Sequence, residues 1–279
     1  MSNGFWWIVS IDRMRQPQLE QLTGCRYAVL VYLRNWLMRI DLRTKRGRPF
    51  KHTWWTMLVV TLIKLRQEMA YRSLEIFVGI DAVTLSRYVN KICALLGNVS
   101  LITEGTRRYL IVDSTCSRIR STNQSDYSGY KHHKNRKCQM VVDDQRRVVA
   151  TSVGYAGSIH DKQIWNREFA GLEHLLEKPI LGDKAYAGGV GEGQILFRPI
   201  KRNETAYKSD PIGSKAFNKE LSRWRVTVEH VFAQLKNFRI LRDIFPLQPK
   251  RYEQCFRMIA LVYNLNRGAL QAAIDTKEL

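Results

Sequence analysis

Acids are scarce in this chain: 25 Asp and Glu stand against 45 Lys and Arg, a formal net charge of +20 over 279 residues. That deficit makes nucleic acid the leading polyanionic partner, because cations that neutralise phosphates release condensed counterions. Cysteine is scarce as well. Cys25, Cys93, Cys116, Cys138 and Cys255 are scattered, odd in number and without a C-x-x-C pair. Neither a zinc site nor a disulfide framework is encoded, and a reducing compartment follows. Long apolar runs are missing: the longest, Trp54 to Ile63, is too short to span a bilayer and runs into Lys64. The N-terminus carries Phe5-Trp6-Trp7 but reaches Asp12, Arg13 and Arg15 without a cleavage-like site, so no signal peptide is expected. These absences predict a cytoplasmic protein with no membrane partner, and 45% hydrophobic content predicts a folded one.

The first hundred residues read as helical. Tyr27, Leu30, Leu33, Leu37 and Ile40 recur at helical spacing, and Lys45-Arg46-Gly47-Arg48-Pro49 is a basic turn that ends the pattern. Further helices are predicted over 54–66, 71–78 and 82–96, with a break at Gly79 and Asp81 as N-cap of the last. Helix, tight turn and helix is the helix-turn-helix arrangement. Leu85, Val89, Ile92 and Leu96 form the apolar stripe of its second helix. Thr84, Arg87, Asn90 and Lys91 stand on the other side, with donors suited to base edges and phosphates. A plain helical bundle with a solvated polar face is the competing reading.

From about Arg108 the texture changes to short β-type runs at 109–113, 138–142, 147–153, 178–182 and 194–200. A helix over 159–169 separates the third from the fourth, and helices over 217–239 and 251–273 follow. This order describes a mixed α/β sheet. Asp113 ends the first run and Asp183 follows the fourth, so if those strands are neighbours both acids project from one edge. Glu229, on the long helix, shares a face with Arg225 and Lys236. Three converging carboxylates repel unless divalent cations neutralise them, and hard oxygen donors suit Mg²⁺ or Mn²⁺. Two such ions clamp the attacking and leaving oxygens of a phosphoryl displacement. Taken alone, Arg225 and Glu229 also fit an ordinary i,i+4 ion pair.

Lys131, His132, His133, Lys134, Arg136 and Lys137 form a basic hairpin between the first two strands, read as a DNA contact. Ser158-x-x-Asp161 reads as a capping box, with a place beside the metal site as the alternative. Lys184 and Tyr186 either touch a scissile strand or shape the turn after Asp183.

Five blocks carry a resemblance. Val112-Asp113-Ser114-Thr115, Tyr127-Ser128-Gly129-Tyr130-Lys131 and Gly157-Ser158-Ile159-His160-Asp161 come first. Gly182-Asp183-Lys184-Ala185-Tyr186 follows, then Val228-Glu229-His230-Val231-Phe232 with Leu235-Lys236-Asn237-Phe238-Arg239. In that order, over 109–242, they resemble DDE transposases of the insertion-sequence five type, whose domain is shared with Harbinger elements. The resemblance implies an RNase H-like fold over 101–279, preceded by an all-α helix-turn-helix domain over 1–100. It implies a catalytic, metal-binding triad of Asp113, Asp183 and Glu229 with two Mg²⁺ or Mn²⁺ ions. Its signature Tyr-x-x-Arg-x-x-x-Glu-x-x-x-x-x-x-Lys is met by Arg225, Glu229 and Lys236, with Ser222 where the Tyr stands.

The expected activity is cleavage of transposon terminal inverted repeats followed by strand transfer into target DNA. Arg225, Lys236, Arg239, Lys184, Lys131, His132, Lys134, Arg136 and Lys137 are expected at the DNA, along with the four helix-turn-helix residues. Joining two ends calls for a homodimer or larger assembly, in a prokaryotic nucleoid. A non-catalytic DNA-binding regulator and a structure-specific nuclease of the same fold are the rival readings.

Overall fold

The structure is a computed structural model that describes residues 11–43, 51–101, 107–170, 172, 178–186 and 195–269. The aromatic start at Phe5-Trp6-Trp7, the basic turn at 45–49, Gln194 and the helical extension over 270–273 lie outside the described residues. In chain order come α1 (Gln16–Thr23), α2 (Tyr27–Arg43), α3 (Trp54–Gln67), α4 (Tyr71–Val78) and α5 (Ala82–Gly97). Then follow β1 (Leu110–Ile119), β2 (Tyr127–Ser128), β3 (His133–Asp143), β4 (Val148–Thr151), β5 (Tyr155–Ala156) and α6 (Asp161–Glu168). β6 (Ile180–Leu181), β7 (Leu196–Phe197), α7 (Thr205–Ser209), α8 (Pro211–Leu235) and α9 (Tyr252–Asn264) complete the series used below. No helix among the described residues is long and apolar enough to cross a membrane.

The chain divides into two compact units. The first joins Met1–Val99 to Lys236–Pro246 and Gln254–Leu279. Its centre is α3, where every residue from Met57 to Leu65 is buried, as an almost unbroken apolar sequence requires. Thr53 caps α3 by accepting the Thr56 N–H at 3.2 Å. Lys64 is the one cation in that run. Its Nζ donates to the Met69 carbonyl and lies 4.9 Å over the Tyr71 ring, and burial pushes its pKa down. α4 stops at Gly79, whose φ of +69° is the left-handed conformation glycine adopts without penalty. Asp81 then caps α5, accepting the Thr84 N–H at 2.8 Å. The predicted stripe of Leu85, Val89, Ile92 and Leu96 is buried, and α5 packs on α3. α9 joins this unit from Gln254 onward: Cys255 and Cys93 are buried with sulfurs 3.8 Å apart. Asn266 ties the chain beyond α9 to Gly24 and Arg26.

The second unit joins Ser100–Leu235 to Leu247–Glu253 and is a mixed α/β layer structure. Its sheet runs β2-β3-β1-β6-β7, with β4 and β5 also on the outer edge of β3. β1 and β3 are antiparallel, while β1-β6 and β6-β7 are parallel. Leu110, Val112, Val141, Val149 and Ile180 pack with Trp165, Phe169 and Tyr186 in one core, which seats α6 on the sheet. α8 packs against β1, with Leu221, Val228, Val231 and Phe232 buried. Side chains alternate along a strand, so Val112 enters the α6 layer and Asp113 turns the other way, toward α8.

The elements differ from expectation at their ends. β1 runs on to Ile119 rather than stopping at Asp113, because β3 supplies main-chain partners as far as Arg118 opposite Asn135. The long helix starts early, at Pro211, where a missing N–H and a fixed φ suit the first helical turn. It also ends early, at Leu235, so Lys236 and Arg239 lie beyond it, in the first unit.

Candidate active site

The acids are placed by strand register. Leu110 pairs with Ile180 and Ile111 with Leu181 in the parallel β1-β6 ladder. Asp113, within β1, and Asp183, just past the end of β6, each lie two residues beyond the paired Ile111 and Leu181, so they leave the ladder at the same level. Asp113 accepts the Ser114 N–H at 2.8 Å, and Asp183 accepts the Ala185 N–H at 2.7 Å in the turn after β6. Burial pushes the Asp113 carboxyl up from 3.8 to about 6, against the pull of the Ser114 hydrogen bond and Arg225. The negative charges of Asp183 and Asp161 push it further the same way. This is the signature of carboxylates crowded in a partly desolvated site.

Arg225 comes from α8 to within 3.9 Å of Asp113 Oδ2, with the two side chains 20% and 23% exposed. The guanidinium thus reaches Asp113, whereas sequence spacing also allowed a partner in Glu229. Its Nε is buried with no hydrogen-bond partner. Glu229 is exposed on α8. Among the described residues, no group of three His, Cys, Asp or Glu side chains is close enough to hold one metal ion. Beside Arg225, an open groove of about 310 Å³ is lined by Asp183, Lys184, Pro199, Asn218, Ser222 and Arg225. Ser222 stays on the rim with its hydroxyl donated to the Asn218 carbonyl at 2.8 Å.

A polar cluster underlies the acids on the α6 side. Gln139 is fully buried, and its Nε2 donates to the Tyr186 hydroxyl at 2.7 Å and to the Asp161 carbonyl at 2.9 Å. Tyr186 is 1% exposed and inside the core, so it shapes the turn that carries Asp183 rather than facing a substrate. Burial, then the charges of Asp161, Asp113 and Asp183, raise its pKa well above the ordinary phenol value. Gln139 was not singled out in the sequence. Its signal was a lone amide inside the apolar run Cys138-Gln139-Met140-Val141-Val142. The capping box expected from Ser158 and Asp161 is replaced: His160 caps α6, its Nδ1 accepting the Lys162 N–H at 3.3 Å, and Ser158 bonds to Ser125 instead. Another unforeseen feature is Trp224, 43% exposed and stacked on Tyr109 with ring centroids 5.5 Å apart.

The basic hairpin sorts into two sets. Arg136 pairs with Asp126 at 3.1 Å and donates to the Gly154 carbonyl. Lys137 pairs with Asp161 at 2.9 Å and donates to the Ile159 carbonyl. Lys134 donates to the Ser121 carbonyl at 3.0 Å. Lys131 and His132 are exposed at the tip, as is Lys184 after Asp183. In the first unit, Arg87 and Lys91 are exposed on α5 while Thr84 and Asn90 are half-buried.

The donor set at Asp113 and Asp183 fits a divalent cation. Both are hard oxygen donors, their charges are mutually repulsive, and a cation between them would relieve the raised Asp113 carboxyl.

Comparison with known proteins matches residues 112–264 to a family described as DDE superfamily endonuclease. The chain is 27% identical over 154 residues to a proposed transposase for insertion sequence element IS702 of Microchaete diplosiphon, covering 55% of this chain and 54% of that protein. It is 26% identical over 202 residues to a proposed transposase for insertion sequence element IS112 of Streptomyces albus G, covering 71% of this chain and 75% of that one. The first alignment therefore spans about half the length of the relative it matches. No solved structure matches the chain.

Proposed function

The chain belongs to the DDE superfamily endonucleases, and from that premise we propose that it is a DNA transposase, an RNase H-like nuclease and strand transferase acting on the ends of a mobile element. The observation that carries the reading is that Asp113 on β1 and Asp183 just past the end of the parallel β6 each stand two residues beyond a paired position, with the Asp113 carboxyl raised to about 6 by burial and by the nearby Asp183 and Asp161 charges. These two acids would hold Mg²⁺ or Mn²⁺, with Glu229 completing the set when DNA is bound. Bound there, such ions would supply a nucleophilic water at neutral pH and offset the charge that builds on the phosphate. Arg225, with its buried and unpartnered Nε, holds a phosphate oxygen beside Asp113. Gln139 and Tyr186 keep the Asp183 turn seated against β1.

Around this centre, Lys184 and the hairpin-tip residues Lys131 and His132 contact the DNA backbone. Lys236 and Arg239 also contact DNA phosphate. Arg136 and Lys137 fix the fold of the hairpin through their internal partners. α4 and α5 act as a helix-turn-helix, with Arg87 and Lys91 at phosphates and Thr84 and Asn90 nearer the bases. Two ends joined in one event call for at least a dimer on DNA.

The test is cleavage of duplex DNA carrying the element's terminal repeats. Asp113→Asn, Asp183→Asn and Glu229→Gln are each expected to lower Mg²⁺-dependent cleavage by roughly 10³-fold or more while end binding persists. Near-normal cleavage by any one of them removes that residue from the triad. The exposed, ungathered Glu229 favours a second reading, a non-catalytic DNA-binding regulator. Sequence-specific end binding with no metal-dependent nicking by the wild-type protein would establish that reading instead.

A further inference from the structure

β1 leaves the acids at Asp113 and ends at Ile119, where it meets the hairpin formed by β2 and β3. An open groove of about 610 Å³ lies there, lined among others by Arg118, Arg120, Tyr127, His132, His133 and Lys134, and none of its lining residues is acidic. Arg118 and Arg120 are exposed, and among the described residues neither takes part in an ion pair. The neighbouring cations are different. Arg136 and Lys137, two and three residues beyond Lys134, are half-buried and neutralised by Asp126 and Asp161. Those two carboxylates are thus taken up away from the groove, and the groove keeps its charge. Tyr127, 39% exposed, adds an aromatic face to the same groove.

Resting on the transposase reading, we infer that this groove is a second DNA site, which binds the phosphate backbone of the same duplex whose bond is cut at Asp113 and Asp183. An open, uncompensated cationic groove suits a long polyanion better than a small enclosed ligand. Arg118 is five residues beyond Asp113 on one extended strand, about 17 Å at roughly 3.3 Å per residue, and the odd spacing turns it to the opposite face of the sheet. The groove therefore grips the duplex away from the scissile bond, on DNA that continues past the acids.

The experiment compares the wild-type chain with Arg118→Ala/Arg120→Ala on end-containing duplexes, by fluorescence anisotropy across 50 to 200 mM salt. Removing two phosphate contacts is expected to make the slope of log Kobs against log salt shallower by about 1.8, and Arg118→Lys/Arg120→Lys is expected to restore it. A second series trims the duplex to three base pairs on each side of the cut bond in turn. Trimming one side is expected to weaken wild-type binding about 10-fold while leaving the alanine variant, which has already lost those contacts, little changed. An unaltered salt slope in the alanine variant, with wild-type cleavage intact, overturns the groove and leaves the transposase reading standing. Equal sensitivity of wild type and variant to trimming does the same. If the wild type neither binds nor cuts any end-containing duplex, the transposase reading fails and the groove falls with it.

Discussion

The two ends of β1 hold charge of opposite sign in opposite surroundings. At one end Asp113 is three-quarters covered and shares its neighbourhood with Asp183 and Asp161, so its carboxyl titrates near 6. At the other, Arg118 and Arg120 stand in water with no counter-ion among the described residues. Desolvated like charges cost stability, and hydrated ones cost almost nothing. The acid end is therefore a place where the fold carries a cost that a bound cation relieves. The basic end is free of that cost and can wait for a ligand without penalty.

The sharpest way to break this contrast is to neutralise Asp113. Its folded carboxyl sits near 6 against an ordinary 3.8, so the folded state binds the proton more tightly. The contribution of Asp113 to stability is then fully present below about pH 4, is lost as pH rises through 6, and stays lost above it. A rise from 3.8 to about 6 corresponds to at most about 3 kcal/mol. In metal-free buffer, denaturant unfolding should show the Asp113→Asn variant more stable than wild type at pH 8 by up to that amount, and equal to it at pH 4. Added Mg²⁺ should stabilise the wild type alone and narrow the gap. Equal stability of the two proteins at pH 8 would mean that the acid end carries no electrostatic cost.

A smaller effect is expected at Tyr186, which supports the acid end from beneath. Tyr186→Phe keeps the ring in its core and removes the hydroxyl that accepts from Gln139 Nε2 at 2.7 Å. A buried amide loses one partner, at about 1–2 kcal/mol. Chemical denaturation measures that loss. A variant as stable as the wild type would show that the Gln139 amide finds other acceptors, such as the Asp161 carbonyl it already reaches.

Much of this arrangement was legible in the residues, and what was not has identifiable causes. Period-2 alternation and apolar runs marked β1, β3, β4 and β6, and Asp81 announced the start of α5 through the capping bond it makes. The length of β1 was not legible, since polar Ser114, Ser117 and Arg118 are held in the strand by the main chain of β3 and not by their own side chains. The partner of Arg225 was hidden for a related reason. Spacing on one helix proposes Glu229, but the nearest carboxylate belongs to a strand more than a hundred positions earlier. Likewise, a run of Lys and Arg in the hairpin looks uniform in one dimension, while the fold brings Asp126 and Asp161 to the two strand residues Arg136 and Lys137 and leaves Lys131 and His132 of the turn exposed. Charge counts are visible in sequence. Charge compensation is a property of the fold.

That distinction gives the smallest predicted effect, and the one that most sharpens the contrast along β1. Arg118 and Arg120 are exposed and make no ion pair among the described residues, so Arg118→Ala/Arg120→Ala removes charge without stranding a buried partner. Surface substitutions of this kind change stability by no more than about 0.5 kcal/mol, in either direction. In a chain of net charge +20 the sign is expected to be slightly stabilising at low salt, because two mutually repelling cations leave the surface. The gain should fade as salt shortens the screening length. Unfolding midpoints at 20 mM and 500 mM salt measure it. A loss above about 1 kcal/mol would mean that these arginines have structural partners and that the basic end, like the acid end, is part of the scaffold. A change within the smaller range leaves DNA as what they are there to meet.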